Sequence, residues 1–457
     1  MTYTPSEQKT ALLVVSLSSF ILPLMASSVN VALPSIAISM NADAILLSWV
    51  NTAYLLSSAV FLLPIGKLAD IFGRKRIYIL GMMLVTLASI LAALADTIIA
   101  LISCRIIEGL GAAMLFSTGI AILSSVFPAE KRGGAIGLSI SAVYLGLTCG
   151  PLFGGWLTQQ FSWRAVFIAY IPVALFIIVI SMLKLTGEWH GQRDQKFDFF
   201  GSFIYALAIT SLMFGLSLLP SKNSIYALLV CTFCFTAFIR YERQFSNPIF
   251  EIKIFHQNKI LTYSSLAALI LYSATFSLTF LMSLYLQNIR GFSPQTAGLI
   301  ILCQPLVMAI LSPYTGKLSD RYESRYLTAT GMCLVCLGLG LLSLMQQDTS
   351  INYILINLVL IGAGFALFSP PNVNAIMGSV TKMYLGIAAG TVSTTRVLGQ
   401  MFSMAIITLA FAMMMGPVPL SPEHYPALLQ SIRLSLFTAA CLSFAGIYLS
   451  FARGNIR

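Results

Sequence analysis

Fourteen stretches of roughly 20 apolar residues follow one another along this chain, separated by short polar turns. Each is long enough to cross about 30 Å of hydrocarbon as a helix rising 1.5 Å per residue. Inside lipid every backbone N–H and C=O has to find its partner within the protein, which leaves helices or a closed barrel, and runs this long are helical rather than the ten-residue alternating segments of a barrel. The composition agrees: 58% of residues are hydrophobic and only 9% charged, against about 25% charged in soluble domains. The spans are expected near 10–34, 46–66, 77–95, 97–121, 133–155, 163–184, 198–218, 224–241, 260–288, 296–316, 325–345, 351–375, 386–415 and 428–452. The first lacks the short apolar core and small-residue cleavage site of a secretory signal and is expected to be retained.

A net charge of +11 raises the question of a nucleic-acid partner, but its distribution answers otherwise. With the N-terminus inside, twenty of the 26 Lys and Arg fall on the cytoplasmic side; Arg164, Lys222, Arg290 and Arg433 fall outside, and Arg105 and Arg396 lie within spans. That asymmetry is the positive-inside pattern, so both termini are expected in the cytoplasm and no nucleic acid is implied. The eight cysteines all lie within apolar runs. Two pairs have CxxC spacing, Cys231 with Cys234 and Cys333 with Cys336, but neither has a nearby His or charge, and both read as small helix-face residues.

The sequence Gly66-Lys-Leu-Ala-Asp70 returns as Gly316-Lys-Leu-Ser-Asp320, an offset of 250 residues. Eight spans fill that offset at about 31 residues each, whereas six would need about 42, too long for loops this short. The expected fold is therefore an all-α polytopic membrane protein of two six-helix bundles in parallel pseudo-repeat, 1–184 and 260–457, with two extra helices in the connection 185–259. The polar stretch 185–198 reads as the inter-half link, and 241–259 as a solvated loop, with a surface helix as the less favoured reading. Pro417 to Pro426 holds four prolines and is not expected to be helical throughout.

The turn after the second span runs Gly66-Lys-Leu-Ala-Asp70-Ile-Phe-Gly73-Arg74-Lys75-Arg76. Its glycines allow a tight turn, its cations suit the inner headgroups, and Asp70 can pair with Arg74 or cap a neighbouring helix. This run resembles the loop signature of the major facilitator superfamily. Arg105-Ile-Ile-Glu108-Gly-Leu-Gly111 in the fourth span is similar to the family's arginine motif, with Glu108 where glutamine is usual. Gly137, Gly146, Gly150-Pro151 and Gly154-Gly155 in the fifth resemble the motif associated with its antiporters, and Val29 to Pro34 resembles its fourteen-span drug:H⁺ branch. The resemblance implies a binding site at mid-membrane between the halves, alternating access, and export from a bacterial or archaeal plasma membrane. That branch usually carries an aspartate five residues before the first-span asparagine, where this chain has Met25.

Read without the family, Gly146, Gly150 and Gly154 recur every four residues and line one helix face open to close backbone approach, while Pro151 removes a hydrogen bond beside them. Plain tight packing explains the stripe; a functional reading adds that the contact seals one gate. Arg105, Glu108 and Arg396 are the charges at depth, each costing about 2.5–3.5 kcal/mol on insertion scales. Arg105 and Glu108, three apart, can form a structural ion pair. Equally, burial favours the neutral carboxyl and Arg105 the carboxylate, so a motion that separates them favours proton uptake, and Glu108 with Arg105 is the candidate coupling site. Candidate cavity residues are Asn30, Asn51, Tyr54, Tyr144, Tyr272, Gln304, Asn357, Asn372, Asn374, Arg396 and Gln400. Asn372 and Asn374 follow Pro370-Pro371, where a helix break is expected. Arg396, if it faces the cavity, should attract anionic or zwitterionic groups.

These features point to a proton-driven exporter of amphipathic or hydrophobic molecules. With Met25 in place of the usual first-span acid, either Glu108 takes over protonation or the chain is not coupled in the usual way; a dedicated exporter of one metabolite such as a siderophore, peptide or lipid-like compound, not coupled in that way, is the alternative, and uptake is a further one. No cofactor or metal is expected, the partners being lipid and a small solute, and the chain is expected to be a monomer. The three histidines lie in loops and no catalytic motif appears, which argues against an enzyme. A channel would want a ring of repeated pore residues.

Overall fold

In the computed structural model of the protein, the described residues are 4–185, 187–189, 197–218, 221–245, 248–249, 252–319, 321–380, 385–416, 418 and 420–454. Fourteen helices among them are long and apolar enough to cross a membrane. We number them α1 (Pro5–Met40), α2 (Ala44–Phe72), α3 (Arg74–Ala93), α4 (Ile98–Val126), α5 (Ala129–Gln160), α6 (Trp163–Lys184), α7 (Phe199–Ser217), α8 (Lys222–Gln244), α9 (Lys259–Ile289), α10 (Pro294–Leu318), α11 (Ser324–Leu342), α12 (Ile351–Gly378), α13 (Leu385–Met414) and α14 (Tyr425–Ala452). Fourteen crossings bring both chain ends to one face, called here the terminal face; the other is the distal face. The connection after α8 differs from a plain loop in holding a six-residue helix, Ile252–Gln257. After the proline-rich stretch a 3₁₀ turn at Pro422–His424 leads into α14.

The repeat has a packing counterpart. A Cβ added to Gly111 of α4 would lie 2.7 Å from the Gly81 carbonyl of α3, and one added to Gly364 of α12 would lie 2.6 Å from the Gly331 carbonyl of α11. Two helix pairs thus cross glycine to glycine, and Gly81 to Gly331 is the same 250-residue step as Gly66 to Gly316. Between the halves in sequence, α7 and α8 pack on each other, and α7 also touches α2 and α13. Tyr205 of α7 donates to the Ala59 carbonyl of α2 at 3.0 Å, and Phe214 meets Trp49 with ring centroids 5.4 Å apart.

Prolines inside spans leave carbonyls that neighbouring helices take over, as lipid requires. Pro370 and Pro371 do not break α12, contrary to the sequence expectation. The Ala366 carbonyl, which the missing Pro370 N–H would have served, instead accepts from Thr315 Oγ1 of α10 at 2.7 Å. Likewise the Leu147 carbonyl, bypassed by Pro151, accepts from Ser27 Oγ of α1 at 3.4 Å.

On the distal face the halves close against each other. Gly298 of α10 lies so near the Pro151 carbonyl of α5 that no side chain fits there, and a Cβ on Gly155 would meet the Pro294 carbonyl at 2.5 Å. The Gln295 N–H donates to Gln159 Oε1 at 3.2 Å, and Ser48 of α2 bonds Thr408 of α13 at 2.9 Å. A π turn at Tyr285–Ile289 carries Gln287 of α9, whose Nε2 donates to the Val31 carbonyl of α1 at 2.8 Å.

Candidate functional site

A cavity of about 140 Å³ lies between the halves, lined by α1, α2, α4 and α5 of the first and α9, α12 and α13 of the second. Its walls run from the middle of the bundle toward the terminal face, away from the closed distal contacts. The lining is aromatic and small: Tyr54, Phe116, Tyr144, Tyr272, Phe276 and Phe365 stand among serines and aliphatic residues. Phe365 takes edge-on contacts from Tyr144 and Tyr272, at centroid distances of 6.5 and 5.7 Å. Tyr144 Oη meets Ser369 Oγ at 2.6 Å, a hydrogen bond from α5 of one half to α12 of the other.

Of the residues singled out from the sequence, Tyr54, Tyr144, Tyr272, Arg396 and Gln400 come together on this wall. The asparagines and Gln304 do not. Asn51 Nδ2 donates to Asn30 Oδ1, joining α2 to α1 inside the first half. Asn357 turns back on its own helix, donating to the Tyr353 carbonyl at 2.8 Å. Gln304 is buried on α10, whose backbone there faces Gly362. Asn372 donates to the Ser264 carbonyl at 3.0 Å and accepts from Arg453 at 3.1 Å, while the exposed Asn374 reaches Ser319 Oγ at 2.8 Å. For Asn30, Asn51 and Asn372 the physical reason is shared: an amide in a span needs a partner, and another helix supplies one as well as a solute does.

Arg396 of α13 crosses to the first half, its guanidinium 5.1 Å from the Phe116 ring centroid. Behind the wall, Arg105 Nη1 and Glu108 Oε2 pair at 2.6 Å, both side chains essentially excluded from solvent. Arg105 is also held from α2: its Nε donates to the Val50 carbonyl at 3.2 Å, and its guanidinium lies 4.4 Å from the Tyr54 ring centroid. Glu108 Oε1 and Arg105 Nη2 have no hydrogen-bond partner. Tyr54 therefore has the cavity on one side and the ion pair on the other. Met25 faces away from the cavity, its Sδ accepting from Ser89 of α3 at 3.7 Å.

The signature turn is built around Gly73, at φ 111°, a conformation that favours glycine. Arg74 bonds Asp70 at 2.7 Å and reaches Ser125 Oγ and the Ala121 carbonyl near the end of α4, at 2.8 and 3.2 Å. Glu188 of the inter-half link accepts from the Lys75 N–H at 2.8 Å, and the Trp189 carbonyl accepts from the Arg74 N–H at 2.9 Å, fastening the link to the start of α3. Gly66 packs on Ser117 of α4 and Gly316 on Pro370 of α12, matching positions of the repeat; Asp320 lies outside the described residues.

In α5 the four-residue stripe faces α1 of its own half: a Cβ on Gly150 would lie 2.5 Å from Ser27 Cβ, one on Gly154 2.5 Å from Ser28 Cα, and Gly146 abuts the Phe20 carbonyl. The contact with the other half is made by the adjoining face, through Pro151 and Gly155. Phe116, Phe365, Glu188 and Arg453 were not singled out from the sequence. An aromatic in an apolar run gives no sign of whether it faces lipid or a cavity, and an arginine just past a span reads only as an inside charge.

The family model of the Major Facilitator Superfamily matches residues 15–404, with a second match over 264–453. The chain belongs to this superfamily. Among relatives of this member, the riboflavin transporter RibZ of Clostridioides difficile is 27% identical over 96% of each chain. The multidrug resistance protein Stp of Mycobacterium tuberculosis is 32% identical over 88% of this chain and 75% of that one. The tetracenomycin C resistance and export protein of Streptomyces glaucescens is 26% identical over 89% and 76%. A solved bacterial homolog of the human lysosomal transporter Spinster, at 17% identity, superposes with a TM-score of 0.69 over 99% of this superfamily member and 98% of that chain, a likeness of fold. The protein is accordingly a multi-pass membrane transporter and not an enzyme.

Proposed function

We propose that the protein exports amphipathic or hydrophobic small molecules from the cytoplasm in exchange for protons, the halves rocking about the cavity described above. The observation that carries this reading is the placement of Tyr54 between the cavity and the Arg105–Glu108 pair. Both contacts from α2, the Val50 carbonyl and the Tyr54 ring, act on Arg105 and neither on Glu108. A shift of α2 against α4 pulls the guanidinium from the carboxylate, and a buried carboxylate that loses its cation takes up a proton. Solute in the cavity, pressing on Tyr54, thereby reaches the protonation site.

The positive-inside pattern supports placing the terminal face in the cytoplasm, so the closed distal contacts correspond to an inward-facing arrangement in a plasma membrane. Relatives named for multidrug resistance and for tetracenomycin C resistance and export support the direction. The proposed working unit is a monomer, and the proposed driving force is the proton gradient.

In proteoliposomes loaded with a fluorescent amphiphile, Glu108→Gln is expected to abolish the acceleration of transport by a pH gradient while leaving gradient-independent exchange. Full retention of pH-driven transport would exclude Glu108 as the coupling group. A second reading, export of a single metabolite, is favoured by the riboflavin transporter that aligns over 96% of both chains. Resistance profiles of cells with and without the protein separate the two: protection against several unrelated toxicants supports the broad pump.

A further inference from the structure

Arg396 is the one charged side chain among the described residues that line the cavity. Its guanidinium has five N–H donors, yet its contact within the described protein is the face of Phe116. The other buried arginines hold side-chain acceptors. Arg105 has Glu108, and Arg453, just past α14, has Asn372 Oδ1 at 3.1 Å and Ser264 Oγ at 3.3 Å, while Arg105 Nη2 and Arg453 Nε and Nη2 have no partner among the described residues. A cation carried into the membrane costs free energy unless its donors are met, and at Arg396 the open side is the cavity. The acids that would suit a cationic solute are absent from the described wall. Glu108 is taken by Arg105 behind Tyr54, and Met25, which faces the α3 side, offers no carboxylate.

The rest of the wall selects shape. Phe365 and its edge-on neighbours Tyr144 and Tyr272 offer ring surfaces, and the Tyr144 hydroxyl is already occupied by Ser369. Beside Arg396 the polar groups of the wall include the Tyr54 and Tyr272 hydroxyls, Ser393 and Gln400, set among aromatic and aliphatic side chains, so flat aromatic surface is better matched than a solute rich in hydroxyls. We infer that the solute class of this cavity is planar aromatic anions, with the acid group seated on the Arg396 guanidinium and the ring against the Phe365 cluster. The inference rests on the reading of this cavity as the transport site, and it narrows that reading from amphiphiles at large to acids. A carboxylate suits the planar guanidinium because two of its donors can meet both oxygens at once.

Three probes share one ring and differ in charge: 2-naphthoate, 2-naphthamide and 2-naphthyltrimethylammonium. Calorimetric titration of the purified full-length protein is expected to show naphthoate bound more tightly than the ammonium. Arg396→Gln is expected to weaken naphthoate at least tenfold and leave the amide within twofold. Naphthoate binding unchanged by Arg396→Gln, or an ammonium bound as tightly as naphthoate by the unsubstituted protein, would overturn the inference. If Arg396→Gln does not fold, the naphthoate-to-ammonium affinity ratio of the unsubstituted protein decides alone: above one it supports the inference, at or below one it overturns it. Uptake of the same probes into proteoliposomes keeps the two readings apart. Arg396-dependent naphthoate binding without uptake of any probe removes the export reading and leaves the ligand class. Uptake of the ammonium that Arg396→Gln does not alter does the reverse.

Discussion

Arg105 and Glu108 illustrate how far single residues in a span can be read. Their three-residue spacing and the cost of burying either alone made the pair legible in the sequence, and it forms at 2.6 Å. What the spacing could not carry is the second set of contacts, from Val50 and Tyr54, because those come from a helix 50 residues away in the chain. Glu108→Ala should leave the guanidinium buried with only a carbonyl and a ring, lowering stability by about 3 kcal/mol, whereas Glu108→Gln keeps an acceptor and should lose less. Denaturant unfolding in mixed micelles measures both; equal losses would show that the retained amide acceptor replaces nothing of the carboxylate, and no loss in Glu108→Gln would show that the charge pairing contributes nothing. The polar cavity candidates were less legible. A buried amide announces that it has a partner, and only the fold reveals that for Asn30, Asn357 and Asn372 the partner is protein.

Single helices show where glycine and proline patterns determine more than composition does. The spacing of Gly146, Gly150 and Gly154 foretold a face without side chains, and that face meets α1 backbone to backbone. It could not foretell which helix would dock there, and the stripe serves the interior of one half while Pro151 and Gly155 meet the other. Gly154→Val would drive a branched side chain into Ser28, whose Cα lies 2.5 Å from the nearest added atom. Overpacking of that kind costs about 1–3 kcal/mol. A thermal unfolding midpoint unchanged by Gly154→Val would show the α1–α5 contact to be loose. The paired prolines of α12 teach the opposite lesson: propensity called for a break, and Thr315 of a neighbouring helix removed the need for one. Helix number, by contrast, was readable because lipid thickness fixes span length, whereas the ends were less so: α1 runs Pro5–Met40 against an expected 10–34.

For the whole molecule, the two-bundle plan was legible because the repeated Gly-Lys-Leu motif counts spans, and the glycine crossings repeat it in the packing, Gly81 and Gly331 standing 250 residues apart and their partners Gly111 and Gly364 253. The position of the extra helices was not legible. An apolar run does not say which helices it docks on, and only the structure places α7 against both α2 and α13. Transport by rocking of the halves requires the distal contact between α5 and α10 to open and close during each cycle. In a background with the native cysteines replaced, Gly155→Cys with Gln295→Cys puts two thiols where an added Cβ already lies 3.1 Å from the partner's Cα. Oxidising this pair is expected to stop solute movement across proteoliposomes, and reduction to restore it; undiminished transport with the cross-link complete would contradict a cycle that opens this contact.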